Sequence, residues 1–497
     1  MFFSRLCVLF LILAMAASAT AAPIDIGSLL ELLVDDYLIE KLSGDARLEL
    51  HHPAPQNVVF HTDRPWEGNS VFYMTTFRDG DVYRMYYFTN NCLYTKEGTK
   101  STKHSYCYAQ SKDGIQWTRP NLGLFEREGS KDNNIVWEGK LAVNFAPFRD
   151  ENPNCAPDAR YKSMCAVKTG PGGFDQALVP CKSPDGIHWS PMSDKPVITK
   201  GTFDSMNLAF WDSDRGEYRE YHRDFKNVIR DIRTSTSKDF VHWTESKFLG
   251  YQPNNSVHLY TNMIVPYYRA PHILLGFPTR YIDRGWTKAA EALPQLDHRR
   301  IRAITEQREG TAVTDGMFMS SRDRDNFNIW PESFIRPGLR NKDGWFYGDN
   351  YQGWGLVETK SPIPGTPDEI SIYINEGVSQ NHPGCVRRYT LRVDGFVSLS
   401  APMSGGELIT KPLTFKGSRL MLNYSTSAAG SIRIEIQDEA GKPIPGFTLD
   451  DAPELYGDSL VQAALWKDGS KLKQLSGKPV RLRFVLKDAD IYSFRFQ

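Results

Sequence analysis

An all-β chain, a five-bladed β-propeller followed by a small C-terminal β-sandwich, is the fold this sequence predicts. Three observations predict it. A short turn signature recurs through the first two thirds of the chain. A three-strand meander pattern precedes each copy. The composition is aromatic and turn-rich, with 11 Trp, 23 Tyr, 27 Phe, 38 Gly and 30 Pro, which argues against a helical bundle.

The elements follow in chain order. Arg5 and an apolar run over residues 6–17, closed by Ala19-Thr20-Ala21, have the layout of a cleaved signal peptide spanning 1–21. The run falls short of the roughly 20 apolar residues a membrane span needs. The mature protein is therefore expected to be exported, periplasmic or extracellular, with no membrane span. Lys+Arg and Asp+Glu are equal at 59 each, so no broad basic footprint for nucleic acid is expected. Nothing in the sequence fixes an oligomeric state.

The propeller is expected over 22–398. Ser111-Lys112-Asp113-Gly114-Ile115-Gln116-Trp117 is the first copy of the signature. Ser183 to Trp189 and Ser237 to Trp243 repeat it, and a stretched copy runs from Ser321 through Asp323 to Trp330. Its chemistry is that of a turn. Ser and Asp accept backbone N–H groups, Gly permits positive φ, and Trp packs back between sheets. Asp113, Asp185 and Asp239 are therefore read as structural.

Strand patterns at 71–76, 82–88 and 105–110 form the first unit. Later units are expected to start near 142–148, 206–211, 261–267 and 353–358. After about Phe396 the signature fades, and 399–497 alternates as a β-sandwich. It is read as an accessory that packs on the propeller, with sugar binding as the alternative. Six cysteines remain after Cys7 in the leader. In an exported chain they permit disulfides, with Cys92–Cys107 and Cys165–Cys181 as the local candidates and buried free thiols as the alternative. No Cys/His spacing suggests a metal, and no cofactor is expected.

Carboxylates at the starts of innermost strands are the candidates for chemistry, because those strands line a propeller's channel. Glycoside hydrolysis needs two carboxylates about the scissile bond. Asp204, Glu67 and Asp349 occupy such places, with Asp204 foremost. Asn69, Asn144, Asn207, His258 and Asn262 lie at comparable positions, as does Tyr260. Arg280, like the His222-Arg223-Asp224 stretch, is placed to grip an anionic sugar. Trp354 is placed to stack on a sugar face. Ordinary turns, ion pairs and packing are the competing readings for each. The His298-Arg299-Arg300 cluster is read as a solvated loop.

These features together resemble the five-bladed β-propeller glycosidase superfamily, which includes the invertase-like family 32 and the arabinanase-like family 43. Leu33-Val34-Asp35-Asp36-Tyr37-Leu38-Ile39 and Gly395-Phe396-Val397-Ser398 are similar to segments of exported bacterial proteins described as family 32 N-terminal-domain-like. The resemblance implies a glycoside hydrolase acting on a poly- or oligosaccharide. The Trp-x-Asn-Asp-Pro-Asn, Arg-Asp-Pro and Glu-Cys motifs of the invertase-like enzymes have no clean copy here, so no catalytic trio transfers. A non-catalytic carbohydrate-binding propeller is the alternative function, and another hydrolase or a lyase on the same scaffold is a third.

Overall fold

The computed structural model describes residues 22–497 except 103, 140–143, 171–174, 341–342 and 468–471. The expected signal peptide lies outside the described residues, as does part of the expected start of the second unit. Antiparallel sheets succeed one another along the chain in a propeller arrangement. Ser70–Asp79, Val82–Asn90, Ser105–Ser111 and Trp117–Thr118 make the first meander, with Ile135–Trp137 added at one side. Phe148–Arg149, Tyr161–Lys168, Gln176–Ser183 and Ser190–Pro191 make the second. Leu208–Asp212, Glu217–Lys226, Ile229–Ser237 and Lys247–Phe248 make the third. A later sheet runs Val357–Thr359, Glu369–Glu376, Cys385–Arg392, and is completed by Ala54–His61 from near the other end of the chain. The innermost segments of this sheet and the first also meet directly. The Trp354 amide donates to the Met74 carbonyl and the Thr76 amide to the Trp354 carbonyl. The first and last meanders are thus tied without any covalent link.

The region from 250 to 335 departs from the expected repeat. It forms a seven-stranded sheet, and the chain leaves it after Thr279–Asp283 for three short helices, Lys288–Glu291, Leu296–Thr305 and Gln307–Thr311. The His298-Arg299-Arg300 stretch lies on the second helix. Arg299 is sealed from solvent, contrary to its reading as a solvated loop. Its guanidinium donates to the carbonyls of Pro294 and Gly310 and lies over the Phe346 ring. A buried charge is tolerated when its donors are used, and backbone carbonyls leave no mark in a sequence.

The turn signature behaves as its chemistry requires. Asp113 Oδ1 accepts the amides of Ile115 and Gln116 at 2.8 Å each, and the Trp117 indole donates to the Gly114 carbonyl. Asp185, Asp239 and Asp323 repeat the pattern. Gly114 and Gly186 take φ of 72° and 80°. In the third and fourth copies that left-handed position holds Phe240 (φ 70°) and Arg324 (φ 76°). Both side chains are fully buried. Phe240 packs on Phe148 of the neighbouring sheet, and Arg324 grips Asp212 through two nitrogens at 2.8 and 3.1 Å. The backbone strain at both positions is offset by a contact between sheets.

Residues 24–50, expected within the propeller, pair elsewhere. Their four strands join six from 397–496 in one ten-stranded sheet with its own apolar core, built around Leu408, Ile434, Phe484 and Phe496. Both segments that carry the family resemblance sit where this sheet meets the 250–335 region. Asp35 and Glu31 receive Arg322 at 2.8 and 2.7 Å, and Phe396 stacks on Phe318. All six described cysteines are free thiols. Cys165 and Cys181, on paired strands, bring their sulfurs to 2.8 Å without a bond, and Cys107 faces Thr89 rather than Cys92. The expected pairings are replaced by mostly buried thiols. No helix of the described residues is long and apolar enough to cross a membrane.

Candidate functional site

Two cavities are lined by opposite ends of the innermost segments of several sheets. At the end where these segments begin lies a funnel of about 460 Å³. Its wall takes residues from successive sheets: Tyr73, Asn144, Asp204, Tyr260 and Tyr351, with Glu309 from the helical excursion. The opposite cavity, about 560 Å³, is lined by Thr76, Phe148, Phe210 and Trp354.

The backbone at the funnel end is unusual. Tyr73, Asn144, Met263 and Asn350 have φ of 48°, 51°, 42° and 64°. Each belongs to a different innermost segment. At Tyr73 the pairing register of Ser70–Asp79 also slips. A bulge or left-handed residue re-aims a side chain, and such strain concentrates where side chains are put to use.

Asp204 is the expected acid that reaches the funnel. Its side chain is 33% exposed and ion-paired with Arg223, which is 3% exposed. Arg223 lies on Glu217–Lys226, with its guanidinium 4.9 Å from the Tyr260 ring centroid. Its Nε and Nη1 are buried without a hydrogen-bond partner. Glu309 is the second carboxylate of the wall. It accepts the Tyr94 hydroxyl at 3.0 Å and pairs with Arg302 and Arg308, both at 3.5 Å. The sequence reading missed Glu309, because it lies on a short helix inserted in the sheet rather than at a strand start.

The other two expected acids are braces. Glu67 is fully buried and accepts Tyr87 Oη at 2.7 Å, Arg119 Nη1 at 2.8 Å and the Arg64 amide at 3.2 Å. Burial pushes its carboxyl up, with Arg119 and Tyr87 pulling the other way. Asp349 is equally sealed. Its two oxygens accept the amides of Gly344, Phe346 and Val378 at 3.1, 3.2 and 2.9 Å. Burial pushes it up to about 6 despite those amides and Arg302. Asp349 thereby shapes the loop that delivers Tyr347 and Tyr351 to the funnel.

The expected binding residues divide in the same way. Asn144 lines the funnel and donates to the Phe203 carbonyl at 2.6 Å. Asn69 is spent on the carbonyls of Cys92 and Gln380. Asn207 and Asn262 are buried: Asn207 donates to the Phe203 carbonyl within its own segment, and Asn262 to the Met206 carbonyl of the neighbouring one. His258 accepts the Arg230 amide at 3.1 Å and packs on Tyr281. Arg280 lies outside the funnel. It forks onto Asp315 at 2.9 and 2.6 Å and lines a separate cavity. Trp354 is buried, donates to the Ile264 carbonyl at 2.8 Å and borders the opposite cavity.

Four tyrosines complete the funnel, and their rings form a continuous patch. Tyr260 lies 5.8 Å from Tyr347 and 5.6 Å from Tyr351, and Tyr351 lies 6.3 Å from Tyr73. Burial pushes the hydroxyls of Tyr73, Tyr347 and Tyr351 well up. Tyr260 goes the other way. Burial raises it, but Arg223, the Tyr347 hydroxyl, Arg230 and Arg308 together more than offset that. Such a wall offers flat apolar faces for sugar rings and hydroxyls for their edges. Among the described residues no three His, Cys, Asp or Glu gather into a metal-binding group.

No family model matches the chain. It is 30% identical over 149 residues to the uncharacterized protein Rv1502 of Mycobacterium tuberculosis (strain ATCC 25618 / H37Rv), a match covering 30% of this chain. The chain spans 41% of the length of the curated relatives it matches. Among solved structures it is similar to a protein described as a glycoside hydrolase, at 13% identity and a TM-score of 0.43 over 69% of this chain and 92% of that one. It is also similar to a glycoside hydrolase family 43 arabinoxylan arabinofuranohydrolase from Bacillus subtilis, at 11% identity and a TM-score of 0.39 over 90% and 99% of the two chains.

Proposed function

We propose that this chain is a glycoside hydrolase that cleaves a poly- or oligosaccharide in the funnel. One observation carries the reading: the channel end that holds Asp204 also brings Glu309 and a patch of four tyrosines into one wall. Two carboxylates about a sugar-sized aromatic cleft match the needs of glycosidic cleavage, one to take a proton or attack and one to steady the charge at the sugar carbon. Arg223, Arg230, Arg302, Arg308 and Lys168 gather around this wall, against Asp204, Glu306 and Glu309. The excess of cations favours a saccharide bearing carboxylate or sulfate groups. In this reading the five sheets of four or more strands outside the ten-stranded one are the blades of one ring, closed by Ala54–His61, and the two-stranded ribbon of Cys92–Thr95 and Gly98–Ser101 is an addition to it. The ten-stranded sheet is a sandwich-like accessory, and residues 1–21 direct export.

The test is sugar release by the purified mature protein from matched panels of uronate-containing, sulfated and neutral glycans, with Asp204→Asn and Glu309→Gln alongside. The expected result is release from an acidic glycan, lost in both variants. Binding of the same glycans without release would replace the enzyme by a carbohydrate-binding protein.

A further inference from the structure

We propose that Tyr260 is the proton donor of the funnel, its phenol held between two guanidinium groups and facing the bound saccharide. The inference rests on the hydrolytic reading above and departs from a purely carboxylate mechanism. Both wall carboxylates are ion-paired, Asp204 with Arg223 and Glu309 with Arg302 and Arg308. Both carboxylates are thus engaged with guanidinium groups, and the donor is sought elsewhere in the wall.

Tyr260 has the geometry for the task. It lines the funnel while 9% exposed. Arg223 and Arg230 stand 4.9 and 5.3 Å from its ring centroid. Tyr347 Oη donates to its oxygen at 2.7 Å, so the Tyr260 hydroxyl hydrogen is not committed to that partner. The groups around it come from every packed element: Arg223 and Arg230 from one hairpin, Arg308 from the last short helix, Tyr281 from the elaborated sheet, Tyr347 and Tyr351 from the loop shaped by Asp349, and Tyr73 from the first sheet. No carboxylate is hydrogen-bonded to it among the described residues, so cations dominate its surroundings. Arg230 has no ion-pair partner among the described residues and stacks on Phe225, Tyr260 and Tyr281. Two of the three Arg223 nitrogens are equally unpartnered. Neither arginine is neutralised by more than the single Asp204 contact, and a phenolate formed between them meets its charge at once.

The step balances as follows. The Tyr260 O–H bond breaks and its proton goes to the glycosidic oxygen as the bond from that oxygen to the anomeric carbon breaks. Water adds its oxygen to the anomeric carbon and gives a proton to a wall carboxylate. The phenolate then recovers a proton from that carboxylic acid through solvent, which restores the starting state with one water consumed.

Two readouts test the proposal, and the first needs no substrate. Ultraviolet titration of tyrosinate in the intact protein should show one phenol ionising below the usual value of about 10. That component should vanish in Tyr260→Phe and move upward in Tyr347→Phe. The second is kcat on glycosides of graded leaving-group acidity. Tyr260→Phe should lose about 10²–10⁴-fold on poor leaving groups, the usual contribution of a general acid, and little on leaving groups that depart without a proton. Absence of the early tyrosinate, its persistence in Tyr260→Phe, or equal losses on all leaving groups would each overturn the proposal. If wild-type protein releases no sugar from any glycan, the hydrolytic reading fails and the proton-donor role with it, whatever the titration shows. Release with a normal Tyr260 titration fails the proposal alone.

Discussion

Asp349 offers a prediction whose size follows from the structure. Its carboxyl is fully buried, held by three backbone amides, and lifted from 3.8 to about 6. The sign follows from linkage. Between those two values the folded chain holds a proton that the unfolded chain has released, so stability falls as pH rises through the window and is level above it. The rise is about two pKa units, or about 3 kcal/mol at roughly 1.36 kcal/mol per unit. Asp349→Asn removes the titration and keeps the volume. Chemical unfolding of both proteins from about pH 3.5 to 7.5 isolates the effect. The wild-type advantage over the variant should be largest in acid and shrink by about 3 kcal/mol before levelling near pH 6. A difference that stays flat, or grows with pH, would refute the burial argument.

Further expectations concern other residues. Glu67→Gln should cost about 1–3 kcal/mol, because it removes the charge that Arg119 and the Tyr87 hydroxyl share in a buried place and leaves Arg119 with Asp63 as its ion-pair partner, while kcat per folded molecule stays near wild type. Thermal unfolding and specific activity check the two halves separately. Phe240→Gly relieves about 1 kcal/mol of left-handed strain but removes a ring packed between two sheets, worth about 3–5 kcal/mol. Net destabilisation is expected, and a more stable variant would contradict the packing account. Arg324→Met leaves Asp212 buried without its partner and should cost about 3–5 kcal/mol in denaturant unfolding.

The turns and meanders were legible because they are local. Asp113 and its copies cap amides two and three residues on, so spacing alone specifies them. Ring closure was not legible, since Ala54–His61 pairs with a strand more than 300 residues away and nothing in its own pattern names that partner. The same limit hid the pairing of 24–50 with the C-terminal sheet. Among site residues, position at a strand start identified Asp204 but also Glu67 and Asp349. Direction separates them: Asp204 reaches the channel, whereas Glu67 turns to Arg119 and Asp349 to its own loop. Glu309, Arg302 and Arg308 arrive on helices inserted into one sheet, and a search confined to strand starts passes over them. The tyrosine patch was present in the composition, but aromatic residues also fill the spaces between sheets, and only the fold tells the two uses apart.

The most direct test of the account compares Asp204→Asn with Glu67→Gln on the glycan that the wild-type protein cleaves best, after near-ultraviolet circular dichroism shows both folded. The account predicts that Asp204→Asn abolishes sugar release and Glu67→Gln leaves kcat within a few fold of wild type. Loss of activity in Glu67→Gln with release preserved in Asp204→Asn would place the chemistry outside the funnel and contradict the assignment.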